Sequence, residues 1–321
     1  MTMEVFFVAI AAVGLTAALV PVCIAVARRW DIMDRPGSLK TQQAPVPYLG
    51  GVAVFAGLAV GVCVGRPVAL IPLSAALAMG VCDDRFDLSA PLRLGAQVGV
   101  GALIAATQPV HLPGWIGVPL VVAASVVLIN GSNLLDGLDM LAAGVGAAAA
   151  VGFGVLLLGP GRLMAASLTG ALVAFVWFNR PPARIYLGDG GSYLIGASMT
   201  VLLAYAWGVG VAGATGVIAL ALLAVPVAEL ACAIVRRRRG GRSLMTGDRA
   251  HPYDLLVKSG WSRPAASAIY VAVEVVVVTT VAVIGTPSMA VAVAVDVAVA
   301  GVVLGGAAFV GGLSDTAGTR P

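Results

Sequence analysis

The sequence predicts an all-α fold, a polytopic bundle of membrane-spanning helices, and three observations carry that prediction. First, 60% of the 321 residues are hydrophobic and only 11% are charged, against about 45–50% apolar and about 25% charged in a soluble domain. Second, apolar runs of spanning or near-spanning length recur along the chain. Third, Lys and Arg gather in alternate connections between those runs. A chain this apolar has no core large enough to hide its own surface, and a bilayer removes the problem. The many Ala, Val and Gly residues suit close helix packing in lipid.

The runs fall near 3–27, 47–64, 67–82, 92–108, 115–131, 140–158, 163–178, 191–208, 211–235, 265–285 and 289–311, giving about eleven helices in one domain over 1–311. Residues 312–321 are expected to form a short flexible tail. The first run is read as a spanning helix and not a cleaved leader, since its first charge is Glu4 and no basic segment precedes it. With the N-terminus outside and the runs alternating, every basic residue except Arg66 and Arg162 falls on the inner side, a strong positive-inside bias. The run Arg236–Arg239 reads as an anchor against anionic headgroups. That bias accounts for the basic residues without nucleic-acid binding. Cys23, Cys63, Cys82 and Cys232 lie in or beside apolar runs without a CxxC pair, and read as small hydrophobes, not as a metal site or disulfide framework.

The acids are less ordinary. Asp31, Asp34, Asp83, Asp84, Asp87, Asp136, Asp139, Asp189, Asp248 and Asp254 all fall in the inner connections. A positive-inside bias does not call for carboxylates. Connections converging on one face would build one acidic site there.

Four segments stand out. Asp83-Asp84-Arg85-Phe86-Asp87 ends the third run, and adjacent carboxylates repel unless a cation sits among them. Such a set suits Mg²⁺ or a phosphate–Mg²⁺ complex; the alternative is a solvated acidic loop. In Asn130-Gly-Ser-Asn133-Leu-Leu-Asp136-Gly-Leu-Asp139, amide or acid side chains recur every third residue, a polar stripe if helical. Capping and turn chemistry would explain one or two of the four. Asn179 precedes a Pro pair and the glycine-rich turn Gly188-Asp189-Gly190-Gly191. Such a turn into a helix offers free N–H groups to phosphate, although Asp189 alone could be an N-cap. The fourth is His251-Pro-Tyr-Asp254 in the longest inner loop; a lone loop His is weak by itself. Glu274 and Asp296 lie inside the last two runs, as a proton or ion path or as interhelical hydrogen-bond partners.

Together these motifs resemble the polyprenyl-phosphate N-acetylhexosamine-1-phosphate transferase family, over about residues 28–260. Asp34-Arg-Pro36-Gly37 with Lys40, Pro45, Pro47 and Gly50-Gly51 is similar to its first inner motif, and Asp83-Asp84 with Asp87 to its aspartate-rich motif. Asn133-Leu-Leu-Asp136-Gly137-Leu-Asp139 resembles the NxxDGxD motif, with Met140 where glycine is usual. Asn179, Tyr186 and Asp189 match the nucleoside and metal segment, Pro226 to Glu229 a helix motif, and Asp248-Arg249-Ala-His251 the start of a His-rich loop. Leu39 and Gln42 stand where Arg and His are common. Pro252, Tyr253 and Asp254 replace further histidines.

The resemblance implies transfer of a sugar-1-phosphate, GlcNAc-1-phosphate first among candidates, from a UDP-sugar to polyprenyl phosphate, releasing UMP and starting a cell-envelope glycan. It implies Mg²⁺, or Mn²⁺ in its place, on Asp189 with Asn133. Asp83 and Asp84 would handle the lipid phosphate, with Asp136 also catalytic. Lys40, Asp139, Asn179 and Tyr186 would bind the nucleotide, and His251 the diphosphate or sugar. The partners implied are the UDP-sugar, the lipid phosphate and the bilayer of the cell membrane, with the oligomeric state open and a homodimer included. The alternatives are the muramoyl-pentapeptide transferase reaction and, from another class, an ion-coupled transporter.

Overall fold

Each of the apolar runs becomes helix in the computed structural model, which describes residues 2–36, 44–110, 112–208, 213–244, 250–285 and 287–313. In chain order the helices are α1 (Thr2–Arg29), α2 (Gly50–Gly65), α3 (Leu70–Phe86, entered through a 3₁₀ turn at Pro67–Ala69), α4 (Ala90–Thr107), α5 (Gly114–Leu135) and α6 (Leu141–Leu156). They continue with α7 (Gly159–Asn179), α8 (Gly188–Gly208), α9 (Ala214–Ile218), α10 (Ala224–Arg239), α11 (Pro252–Lys258), α12 (Arg263–Ile284) and α13 (Met289–Phe309). Lys40, Asp248, Arg249 and most of the expected C-terminal tail lie outside the described residues.

Three departures from the expected fold have local causes. The run near 211–235 is broken: α9 gives way to a 3₁₀ turn at Ala221–Leu223 before α10 begins, with Pro226 in the first turn of α10, where its missing N–H costs no intrahelical bond. The long connection after α10 contains α11, started by Pro252 and by a reciprocal pairing of His251 with Asp254. A ribbon of two-residue strands, β1 (Met33–Asp34) antiparallel to β2 (Val46–Pro47), joins α1 to α2.

Among the described residues, eight helical segments are long and apolar enough to cross a membrane: α1, α3 with its 3₁₀ turn, α4, α5, α7, α9 through α10, α12 and α13. The chain is a multi-pass membrane protein. Apolar α2 and α6 have 16 residues each, about 24 Å of helix, and lie packed within the bundle. Trp30, Trp115, Trp177 and Trp261 are exposed near helix ends, where amphipathic rings suit a membrane–water interface.

The hub is α8, buried along almost its whole length, with α2, α3 and α5 packed against it. Small residues permit this. At Gly80 a Cβ would collide with the backbone of Asp189 and Gly190, at Gly51 with Gly191, and at Gly196 with the backbone of Leu128 and Ile129. These contacts fix the start of α8 against α2 and α3. At the other extreme α13 buries only Ala292.

The Arg236–Arg239 run is more than a headgroup anchor. Arg236 and Arg237 are buried. Arg236 donates to the Gly312 carbonyl at 3.2 Å, Arg239 to that of Leu313 at 3.0 Å, and Arg237 to that of Leu244 at 2.8 Å. The run ties the end of α13 to α10. The four cysteines are free; Cys23 and Cys232 are buried, whereas Cys63 and Cys82 are exposed on the bundle surface.

Candidate active site

The acidic motifs meet at one end of the bundle because helix ends bring them there. The aspartate pair occupies the last turn of α3 rather than a loop, and α3 ends at Asp87 in a left-handed conformation, φ 49°. Asp84 reaches across to α8, where its Oδ1 accepts from the Asp189 backbone N–H at 3.0 Å and its Oδ2 from that of Gly190 at 3.2 Å. A carboxylate from one helix thus caps the N-terminus of another, two of whose first N–H groups have no intrahelical partner. Gly188, at φ 70°, makes the turn into that cap.

Asp83 is 4% exposed and fully engaged. Its Oδ1 accepts from the Leu88 N–H at 2.9 Å, and its Oδ2 from the Tyr193 hydroxyl at 2.5 Å, with Arg93 3.4 Å away.

The expected polar stripe is helical only as far as Leu135, where α5 stops. Asn130 turns to α4 and donates to Gln97 at 2.6 Å. Asn133 faces the site, its amide donating to Asp189 Oδ1 at 2.7 Å and to the Ser192 hydroxyl at 3.2 Å. Asp136 and Asp139 follow in a turn that ends at Met140, φ 67°, a conformation in which glycine would be unstrained. Asn179 holds the turn in place: its Oδ1 accepts from the Met140 N–H at 2.7 Å, and its amide donates to the Ile185 carbonyl at 2.9 Å.

These segments enclose a cavity of about 500 Å³, in the range of small-molecule sites. Asp34, Asp83, Asp84, Asp87, Asp136, Asp139 and Asp189 line it with Asn133, Asn179 and Tyr186; among the described residues the one cationic side chain in its wall is Arg263. Burial raises the Asp136 carboxyl well above the usual carboxylate range, and the neighbouring Asp189 and Asp84 charges raise it further. Asp139 is also raised by burial, partly offset by the Ala183 N–H and by Arg263. The Tyr186 hydroxyl is pushed up to about 12 by burial, then by Asp139, so it stays neutral.

An acidic wall with little countercharge is chemically suited to a hard divalent cation. Among the described residues, however, no three His, Cys, Asp or Glu groups are placed to hold a metal ion. Mg²⁺ is commonly held by only one or two carboxylates and completed by substrate phosphates.

The glycosyl transferase family 4 model matches residues 67–206. Over that stretch the chain is similar to that family. The matched segment runs from the turn before α3 into α8 and carries all three cavity-building motifs from Asp83 to Asp189. Proteins similar to this chain include a probable undecaprenyl-phosphate N-acetylglucosaminyl 1-phosphate transferase of Bacillus subtilis (strain 168), 28% identical over 76% of this chain and 75% of the relative. A decaprenyl-phosphate N-acetylglucosaminephosphotransferase of Mycobacterium tuberculosis (strain ATCC 25618 / H37Rv) is 29% identical over 79% and 77%. An undecaprenyl-phosphate alpha-N-acetylglucosaminyl 1-phosphate transferase of Escherichia coli (strain K12) is 26% identical over 74% and 72%.

Of the site residues expected from the sequence, Asp83, Asp84, Asn133, Asp136, Asp139, Asn179, Tyr186 and Asp189 are brought together. His251 is not in the cavity wall; it is 4% exposed and its Nδ1 lies 2.7 Å from Glu229 Oε1. Sequence reasoning missed Arg93, Tyr193 and Arg263. Tyr193 lies one helical turn beyond Asp189, a spacing that could have marked it.

Proposed function

We propose that this protein transfers a sugar-1-phosphate, GlcNAc-1-phosphate before others, from a UDP-sugar to a polyprenyl phosphate, releasing UMP. The observation that carries the reading is the junction of three motifs at Asp189: Asp84 caps its backbone and Asn133 grips its carboxylate. A phosphate oxygen of the lipid attacks the β-phosphorus of the donor, and the bond from that phosphorus to the bridging oxygen breaks. The bridging oxygen leaves with UMP, and a polyprenyl-diphospho-sugar remains.

Asp189 and Asp136 would hold Mg²⁺ or Mn²⁺ together with the donor phosphates. The ion supplies charge neutralisation between two anionic reactants. Asn133, whose amide holds Asp189, orients that ligand. Asp83 and Asp84 fix the ends of α3 and α8 against each other, so the lipid phosphate meets a preset wall, with Arg93 beside Asp83. The lipid phosphate is already largely ionised near neutrality, given a second pKa of about 6, and no strong base is needed. Tyr186 stacks on uracil beside Asp139, whose turn Asn179 holds in place; Lys40, outside the described residues, is assigned to the nucleoside by the resemblance alone. The bias of the basic residues toward this face supports its lying at the inner, cytoplasmic leaflet.

The test is a donor screen with detergent-solubilised protein, Mg²⁺ and decaprenyl phosphate, reading UMP release and the mass of the lipid product. UDP-GlcNAc is expected to give UMP and a lipid heavier by one N-acetylhexosamine phosphate. Release with UDP-MurNAc-pentapeptide alone moves the assignment within the family; no release with any UDP-sugar defeats it.

A pH dependence follows from Asp136 and Asp139. Their raised pKa values mean that the folded state binds more protons than the unfolded chain, so the apo protein loses stability as pH rises through those values. A cation must displace the same protons. The rise in Tm given by Mg²⁺ with UMP is therefore expected to be large near pH 8 and to shrink as the pH falls toward the usual carboxylate range, about 4, as thermal unfolding in detergent would show.

A further inference from the structure

Beneath the cavity lies a polar cluster to which the transfer reaction assigns no part. Glu229 on α10 is 2% exposed, and His251 and Tyr253 at the start of α11 are 4% and 3% exposed. His251 Nδ1 lies 2.7 Å from Glu229 Oε1, and the Tyr270 hydroxyl donates to Glu229 Oε2 at 3.0 Å. The His251 and Tyr253 rings stack, centroids 5.2 Å apart and planes 5° from parallel. At the far end the Tyr253 hydroxyl donates to the Leu134 carbonyl at 2.9 Å. Its ring lies against Gly137, where any Cβ would collide with it. Leu134 and Gly137 flank Asp136. One turn into α12, the Ser267 hydroxyl donates to the Asp139 carbonyl at 2.9 Å.

Burying a carboxylate and an imidazole is costly unless each is partnered. Here the partnered groups run in an unbroken chain from α10 to the turn that carries Asp136 and Asp139. We infer that Glu229, His251 and Tyr253 form a brace that sets the position of the Leu134–Asp139 turn, and that His251 acts on the donor through Tyr253 rather than by touching diphosphate or sugar. All three are positioning residues. The inference rests on the transferase reading only for the ligand used in its binding arm. The brace also gives the broken His-rich loop a physical sense: a tyrosine two residues after His251 reaches the turn as a further histidine, being shorter, would not.

The experiment uses full-length protein in detergent with Glu229→Gln, His251→Ala, His251→Asn and Tyr253→Phe. Two quantities are read: amide hydrogen–deuterium exchange over residues 134–140, and the affinities for UMP and UDP-GlcNAc. Tyr253→Phe removes one hydroxyl and keeps the ring stack, so it is the variant that folds most safely. Its exchange over 134–140 is expected to accelerate about tenfold, and UMP and UDP-GlcNAc to weaken by one common factor, about five- to tenfold, the scale of a lost hydrogen bond. Glu229→Gln combined with Tyr253→Phe should weaken binding no more than the stronger single change, as expected of one connected unit. His251→Asn, which keeps an N–H for Glu229, should recover most of what His251→Ala loses. The inference is overturned if His251→Ala weakens UDP-GlcNAc but not UMP while exchange over 134–140 stays at the wild-type rate, or if Tyr253→Phe matches wild type in both readouts. If wild type transfers nothing to lipid, the exchange arm still decides the brace, and only the transferase reading fails.

Discussion

Asp189→Asn is expected to lower kcat/KM for sugar-1-phosphate transfer by about a thousandfold, about 4 kcal/mol of transition-state stabilisation at 1.36 kcal/mol per factor of ten. The reasoning is electrostatic. Two anions must meet in a cavity whose wall already carries seven aspartates, and without a cation they repel both each other and the wall. An amide in place of this carboxyl removes the charged ligand but leaves an oxygen to accept the Asn133 amide, now 2.7 Å away, and the backbone N–H groups that Asp84 caps are untouched. Tm should therefore move by no more than a few degrees. UMP release by the purified variant, beside its melting curve, checks both halves. A proportionate loss of Tm would turn Asp189 into a structural residue.

The second large effect is expected at a residue with no side chain. Gly80→Ala drives a methyl group into the Asp189 carbonyl and the Gly190 nitrogen. Neither neighbour is the end of a flexible side chain, so α3 or α8 must shift as a body. Overpacking of this kind costs about 3 kcal/mol, and misplacing a site by about 1 Å costs about a hundredfold in rate. Because the shift moves Asp84 away from the N-terminus of α8, both losses should appear together: a Tm lower by several degrees and kcat lower by about a hundredfold. Gly95→Ala, on an open face of α4 where nothing lies within 4 Å, is the control and should behave as wild type in both.

The helices were legible because hydropathy reports lipid burial directly: all the segments read from composition appear, most within a few residues. What the sequence hid was local. Nothing in hydropathy distinguishes a continuous helix over 211–235 from the broken one formed by α9, a 3₁₀ turn and α10. The acidic motifs were legible as types but not as partners. Asp83 and Asp84 read alike as catalytic carboxylates, yet one is held by Tyr193, Leu88 and Arg93 while the other caps α8. That division depends on which way two successive side chains leave the last turn of α3, a matter of tertiary packing. The partner of His251 was hidden for a related reason: Glu229 lies 22 residues earlier in a different helix. Arg263 was read only as a topological charge, although it faces Asp139 across the cavity. Met140 was noticed as a departure from glycine, and its left-handed backbone is the physical reason glycine is usual there.

On the proposed transferase reading, one divalent cation is shared between Asp189 and the phosphates of the donor. Electron paramagnetic resonance of Mn²⁺ titrated into the purified protein tests it most directly. With UMP present, one tightly bound ion per chain is expected in wild type, weaker binding when UMP is left out, and none in Asp189→Asn under the same conditions. Equal Mn²⁺ binding by wild type and Asp189→Asn in the presence of UMP would contradict the account.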